Sequence, residues 1–280
     1  MEFAFGDFLI SIDGNIELIT SLFSDWKSDQ TNPDSFCKCV NLHLDSDLSL
    51  PVLDIDDGWK VISDSVNQKA YYSVGGKTIF SLEYDYPVKD IKVCFSGNNS
   101  VYAKMGIQYA VMLALHDTCI GLHGVTLLIN NEIVILSAPS GTGKTTLSKL
   151  LETYSDAIII NGDFALLRPT PKGVVYEPTP FCGSSTRSLN HRLKINRVVF
   201  LEQGRENLWR DLSGRDALTS FLSNSFVPDW DCEIKSRVTD NIINCISALK
   251  VSHFAFLPVS EAAMDFEKHI DNYDEQSSCL

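Results

Sequence analysis

Cations are the scarce class in this chain: 23 Lys and Arg stand against 36 Asp and Glu over 280 residues, a formal net charge of −13. A chain this acidic repels nucleic-acid backbones and anionic membrane surfaces, so neither is expected as a general partner. No apolar run reaches the length of a membrane-spanning helix. The start, Met1 to Asp7, lacks a basic stretch ahead of an apolar one, and no signal peptide is expected. Of the eight cysteines only Cys37 and Cys39 are close, and no second pair completes a zinc site. Buried or free thiols suit a reducing compartment, so the expected location is cytoplasmic. Internal repeats and low-complexity segments are also missing.

What remains is an ordinary globular composition, 44% hydrophobic and 21% charged, with enough length for one large or two modest domains. Residues 1–100 read as a β-rich N-terminal lobe. Strand-like runs lie at 59–62, 70–74, 78–84 and 91–95, with a hairpin turn at Gly75-Gly76. Asp45, Asp47, Asp54, Asp56 and Asp57 crowd one stretch, but their spacing matches no calcium loop, and a solvated loop is the expectation. Residues 101–270 read as a second, α/β domain. A helix is expected over 101–118, with an apolar set at helical spacing that reads as core. A hairpin follows, 122–129 turning at Asn130-Asn131 into 133–136. Later strands are expected at 157–160, 198–201 and 251–257, and helices near 206–212, 215–223, 236–249 and 261–270. The tail 271–280 is polar and expected to fray.

The most informative stretch runs from Ser137 to Leu147, Ser-Ala-Pro-Ser-Gly-Thr-Gly-Lys-Thr-Thr-Leu. It meets the phosphate-loop pattern at Gly143-Lys144-Thr145, with Ala138 where the first glycine would stand. Gly141 and Gly143 let the backbone of Ser140, Gly141, Thr142 and Gly143 curl, so that its N–H groups face phosphate oxygens. Lys144 can reach the β- and γ-phosphates, and Thr145 can ligate Mg²⁺. Thr145 and Thr146 open a helix whose N-terminus favours an anion.

Asp163 closes an apolar strand, where a phosphoryl-transfer site needs a carboxylate to hold Mg²⁺ or accept a hydroxyl proton. The alternative is a turn-forming Asp in Asn161-Gly162-Asp163. His123 is either a satisfied core histidine, an acid–base group, or a group that orients a carboxylate. The segment from Glu177 to Arg187 is rich in turn residues and small hydroxyls; it is a loop over the reacting groups or a plain surface loop. Arg187 or Arg192 could stabilise a transferring phosphoryl group, and Arg205 is a further, weaker candidate.

Taken together, His123-Gly124, the loop Pro139 to Thr145 and the acidic strand end resemble the catalytic domain of HPr kinase/phosphorylase. The loop Ser140 to Ser148 is also similar to that of ATP-dependent phosphoenolpyruvate carboxykinase, which shares that fold. The resemblance covers roughly residues 105–205 and extends to the kinases of lasso-peptide clusters, which phosphorylate a serine of a precursor peptide. It implies a mixed sheet with flanking helices, a histidine near the reacting groups, and an acidic strand end that serves as base and metal ligand. This chain departs from the family at one place: Gly162 precedes Asp163, where the family usually carries two adjacent aspartates.

The expectation is therefore an ATP- and Mg²⁺-dependent kinase, with Asp163, His123 and Lys144 catalytic and residues 140–146 binding the phosphates. By resemblance the acceptor is a Ser or Thr of a peptide or small protein, which the β-rich lobe could dock. A metabolite kinase and a nucleotide-binding regulator without transfer remain open, as does assembly into a homo-oligomer.

Overall fold

The computed structural model describes the whole chain except residues 6, 7, 15, 24–37, 46–49, 52, 53, 55, 64–66, 98, 183–190 and 272–280. The tail beyond Asp271, Cys37, Cys279, Asp47 and Arg187 lie outside the described residues. The chain divides into two units, one of residues 1–117 with 227–237, the other of 118–226 with 238–280.

Seven strands among the described residues form the sheet of the first unit: β1 (Glu2–Phe5), β2 (Phe8–Gly14), β3 (Lys38–Asp45), β4 (Gly58–Ser63), β5 (Asn67–Val74), β6 (Lys77–Asp85) and β7 (Asp90–Phe95). Their spatial order is β1-β2-β3-β7-β6-β5-β4. The pairs β2–β3 and β3–β7 are parallel and the others antiparallel. Strict alternation sets which face is covered. In β3, Val40, Leu42 and Leu44 are buried while Cys39, Asn41 and His43 face water. The wet face carries cross-strand polar pairs, Asp13 with His43 at 2.7 Å and Asn41 with Asp90 at 2.8 Å.

Helix α1 (Ile16–Phe23) buries Ile19 and Phe23, the latter against Phe3 at 4.6 Å between ring centroids. Helix α2 (Ser100–Leu115) starts where the Asn99 side chain accepts the N–H groups of Val101 and Tyr102. It packs on β6 and β7, with Ala103, Ile107 and Ala110 fully buried. The helix expected over 101–118 is thus present, but it belongs to the first unit, so the division falls at 117/118 rather than 100/101. Its apolar face has the first sheet to cover, and that burial decides where the unit ends. The segment 227–237 adds Trp230, whose ring lies 3.9 Å from that of Trp59 and whose Nε1–H donates to the Tyr84 hydroxyl at 2.9 Å.

The second unit holds nine strands among the described residues: β8 (Ile120–Ile129), β9 (Glu132–Ser137), β10 (Ile158–Asn161), β11 (Phe164–Thr170), β12 (Gly173–Glu177), β13 (Leu193–Lys194), β14 (Arg197–Gln203), β15 (Leu208–Asp211) and β16 (Lys250–Phe256). They run β13-β12-β11-β8-β9-β14-β16-β15, with β10 on the second half of β8. The β8–β9 hairpin turns at Asn130 (φ 49°) and Asn131 (φ 61°), two residues in the left-handed region as a tight right-twisted hairpin requires. Strands β9, β14 and β16 are parallel, so their carboxyl ends share one edge. Helices α3 (Lys144–Tyr154) and α6 (Ser260–Asp271) cover one face, with Leu147, Leu151 and Phe266 in one core cluster with Leu127, Leu136, Leu201, Phe254 and Phe256 of the strands. On α4 (Gly214–Asn224), Phe221 meets Phe200 of β14 at 5.2 Å. Helix α5 (Cys232–Ala248) buries Val238, Ile242 and Cys245. The fold is mixed α/β, as the sequence predicts.

One expected helix is absent. Residues 208–211 form β15, antiparallel to β16. Trp209 turns inward against Phe254 (5.7 Å) and Phe266 (5.5 Å), and the open ladder of β16 supplies hydrogen bonds that four residues could not make as a helix.

Trp230→Ala is expected to destabilise the first unit by roughly 3 kcal/mol, the usual cost of truncating a packed indole. The check is the denaturation midpoint followed by aromatic circular dichroism, with Trp230→Phe expected to recover most of it.

Candidate active site

Strand β9 ends at Ser137, whose hydroxyl donates to the His123 carbonyl at 2.9 Å, and the glycine-rich loop follows at once. Ala138 is buried and keeps a negative φ, so nothing at that position requires the glycine of the usual pattern. Gly141 (φ +82°) and Gly143 (φ +104°) do adopt the left-handed backbone that curls the loop. Gly143 is doubly constrained, because a Cβ there would sit 3.0 Å from the buried ring of Phe256 at the end of β16. From the end of β14, Gln203 Nε2 reaches the Gly141 carbonyl at 3.4 Å. Strands β14 and β16 thus back the loop at its two glycines.

Gly143 caps α3, and Lys144 is the first residue of that helix. Lys144 is buried, and its ammonium donates to the carbonyls of Ala138 (2.6 Å) and Pro139 (3.1 Å). Burial pushes the amine below its ordinary range, while the carboxylate of Asp163 pulls it back up. Thr145 and Thr146 are exposed at the open end of α3, together with the N–H groups that a first helical turn leaves unpaired.

Asp163 arrives by a different route. Its backbone N–H donates to Asn161 Oδ1 at 3.0 Å, and that of Phe164 to the same oxygen at 3.2 Å. Its carbonyl accepts from the Gly124 N–H at 3.1 Å and from His123 Nδ1 at 3.2 Å. Because a carbonyl only accepts, that contact puts the His123 proton on Nδ1 and leaves Nε2 as the acceptor in the neutral ring. His123 Nδ1 also lies 3.7 Å from Asp163 Oδ1, with about a quarter to a third of each side chain exposed. A Cβ on Gly124 would come within 2.8 Å of the Leu136 carbonyl, which explains why glycine follows this histidine.

The arginine candidates fare differently. Arg187 lies outside the described residues. Arg192, beside the outermost strand β13, donates from Nε to Glu177 Oε2 at 2.9 Å. Glu177 is fully buried and also meets Arg168 Nε at 2.6 Å. Burial raises its carboxyl above the usual range, and the two guanidinium groups act against that. Arg192 is therefore engaged with a carboxylate that the sequence reading did not single out. Arg205 is exposed in the turn after β14. Asn161, Gln203 and Phe256 were also missed. Of these only Asn161 left a signal, since Asn-Gly-Asp is the composition of a side-chain-capped turn.

Among the described residues no group of three or more His, Cys, Asp or Glu could hold a metal alone. For a cation the site offers the Thr145 hydroxyl, with other loop hydroxyls nearby, and the Asp163 carboxylate. That hard, sparse oxygen set fits Mg²⁺, which keeps its waters and takes most other ligands from phosphate oxygens. The open space beyond Gly141, where a Cβ would meet nothing within 4 Å, fits the approach of a phosphate to the loop backbone. Among the described residues no helix is long and apolar enough to cross a membrane.

No family model and no curated protein matches the chain. Among solved structures, the HPr(Ser) kinase/phosphatase from Coxiella burnetii aligns over 56% of this chain and 98% of its own, at 11% identity and a TM-score of 0.35.

Gly143→Ala is expected to cost about 1–2 kcal/mol for the left-handed backbone alone. Crowding against Phe256 adds to this, and a lowered melting temperature of the otherwise folded chain is the readout. Glu177→Ala is expected to cost about 3 kcal/mol by leaving two guanidinium groups without their shared carboxylate. A melting temperature unchanged within error would remove Glu177 from any structural role.

Proposed function

We propose that the chain is an ATP- and Mg²⁺-dependent kinase that transfers the γ-phosphoryl group to a Ser or Thr hydroxyl of a peptide or small protein. One observation carries the reading: a loop curled by two left-handed glycines follows β9 and folds back on the buried Lys144, while the backbone carbonyl of Asp163 is hydrogen-bonded to His123 and Gly124 of β8, the strand paired with β9. In this reading the loop amides and the N-terminus of α3 bind the phosphates. Lys144 leaves its two loop carbonyls to neutralise charge that develops on the transferred group. Thr145 and Asp163 hold the metal, directly or through water. When bound, Mg²⁺ supplies charge neutralisation across the phosphate oxygens. Asp163, oriented through its carbonyl by His123, accepts the proton of the acceptor hydroxyl. Catalysis of this kind is mostly positioning and electrostatics, which these groups supply without a covalent intermediate.

The resemblance to HPr kinase/phosphorylase and to lasso-peptide kinases favours a peptide or small-protein acceptor in the cytoplasm over a metabolite hydroxyl. A nucleotide-binding regulator without transfer is the second reading. Gly162, standing where that family has an acid, favours it.

Calorimetric titration of ATP with Mg²⁺ into the wild type, Lys144→Ala and Asp163→Asn tests the proposal. The wild type is expected to bind, and Lys144→Ala to lose at least about tenfold in affinity, close to 1.4 kcal/mol. Asp163→Asn is expected to retain nucleotide with an altered metal dependence. A folded wild type that takes up no nucleotide would sink the kinase reading.

A further inference from the structure

We propose that Asn161 is a positioning residue for Asp163, an uncharged anchor that fixes the direction in which the Asp163 carboxylate leaves the backbone. This rests on the reading of Asp163 as base and metal ligand. Strand β10 ends at Asn161 on the second half of β8, and β11 begins at Phe164 on the first half. The chain must therefore cross from one half to the other within Gly162 and Asp163. The pairing of β10 with β8 also shifts register between Ile159 and Asn161. A crossing of this kind takes backbone N–H groups off the ladder, and Asn161 Oδ1 accepts two of them, from Asp163 (3.0 Å) and Phe164 (3.2 Å). On the other side of the residue, Gly124 N–H (3.1 Å) and His123 Nδ1 (3.2 Å) hold the Asp163 carbonyl. Both peptide groups flanking the Asp163 Cα are thus held, and with them the direction of its side chain.

The choice of asparagine carries the point further. Asn161 is fully buried, and its Nδ2 has no hydrogen-bond partner. Leaving a buried amide donor without a partner is unfavourable. The side chain is kept for its oxygen. Aspartate would offer the same acceptor, but it would bury a second negative charge two residues from Asp163 and oppose its ionisation. Asparagine supplies the acceptor without that charge.

The test uses the full chain with Asn161→Ala, Asn161→Ser, Asp163→Asn and the double variants. Three readouts are taken: exchange rates of the Asp163 and Phe164 amides without ligand, Mn²⁺ affinity in the presence of ATP, and ADP release from Mg²⁺–ATP. In Asn161→Ala both amides are expected to exchange about tenfold faster or more, and Mn²⁺ affinity to fall. ADP release is expected to fall about 10- to 100-fold with ATP affinity within about threefold. Asn161→Ser, with a shorter acceptor, recovers part of each. In the Asp163→Asn background Asn161→Ala is expected to lower ADP release no further, because it acts through a carboxylate already removed. Additive losses in the double variant, or unchanged amide exchange, overturn the proposal while leaving the kinase reading intact. A wild type that releases no ADP and binds no nucleotide overturns that reading, and this proposal with it. Should Asn161→Ala not fold, Asn161→Ser alone and on Asp163→Asn decides the same question.

Discussion

Strand β8 is paired twice along one edge, and much of the site follows from that constraint. Its first half holds β11 and its second half β10, so the chain has to step between them at residues 161–163. Its other edge holds β9, whose end launches the glycine-rich loop. The register puts Gly124 opposite Ser137 and His123 opposite Phe164, so the start of the loop and the acidic turn flank the same two residues of β8. A slip of one residue on either side would turn His123 to the other face and separate the groups.

The parallel trio β9, β14 and β16 adds the second half of the arrangement. Parallel strands bring their carboxyl ends to one edge, and there Gln203 and Phe256 meet the loop from behind. Phe256 is a core residue of the α3–α6 layer and also the floor under Gly143. Packing and phosphate-loop geometry are thus linked through a single ring. The same unit accepts several buried polar groups, Lys144, Asn161, Glu177 and Arg197 among them. Each has at least one polar atom placed against a carbonyl, an amide, a hydroxyl or an opposite charge, although Asn161 Nδ2 has no hydrogen-bond partner.

Those buried polar groups divide by purpose. Glu177, gripped by Arg168 and Arg192, joins β11, β12 and the approach to β13, and the arrangement is structural in form. It takes Arg192 out of the simple role of a free phosphate-binding arginine. Among the described residues Lys144 donates to the loop carbonyls of Ala138 and Pro139, contacts of a kind that a phosphate oxygen can replace.

Local composition already determined much of this protein. Apolar runs between turn residues marked the β8–β9 hairpin and β16, and apolar residues at helical spacing marked α2 and α3. The curl at Gly141 and Gly143 was legible because loop curvature restricts residue type over a few adjacent positions. The tertiary structure alone decided the rest. The segment 208–211 became a strand because β16 had an open edge for it, and α2 joined the first unit because that sheet needed a cover. His123 and Asp163 met because strand pairing, a long-range choice, set their register. Asn161, Gln203, Phe256 and Glu177 matter through partners far away in the chain or through a turn whose place only the sheet defines, and no local pattern records such partners.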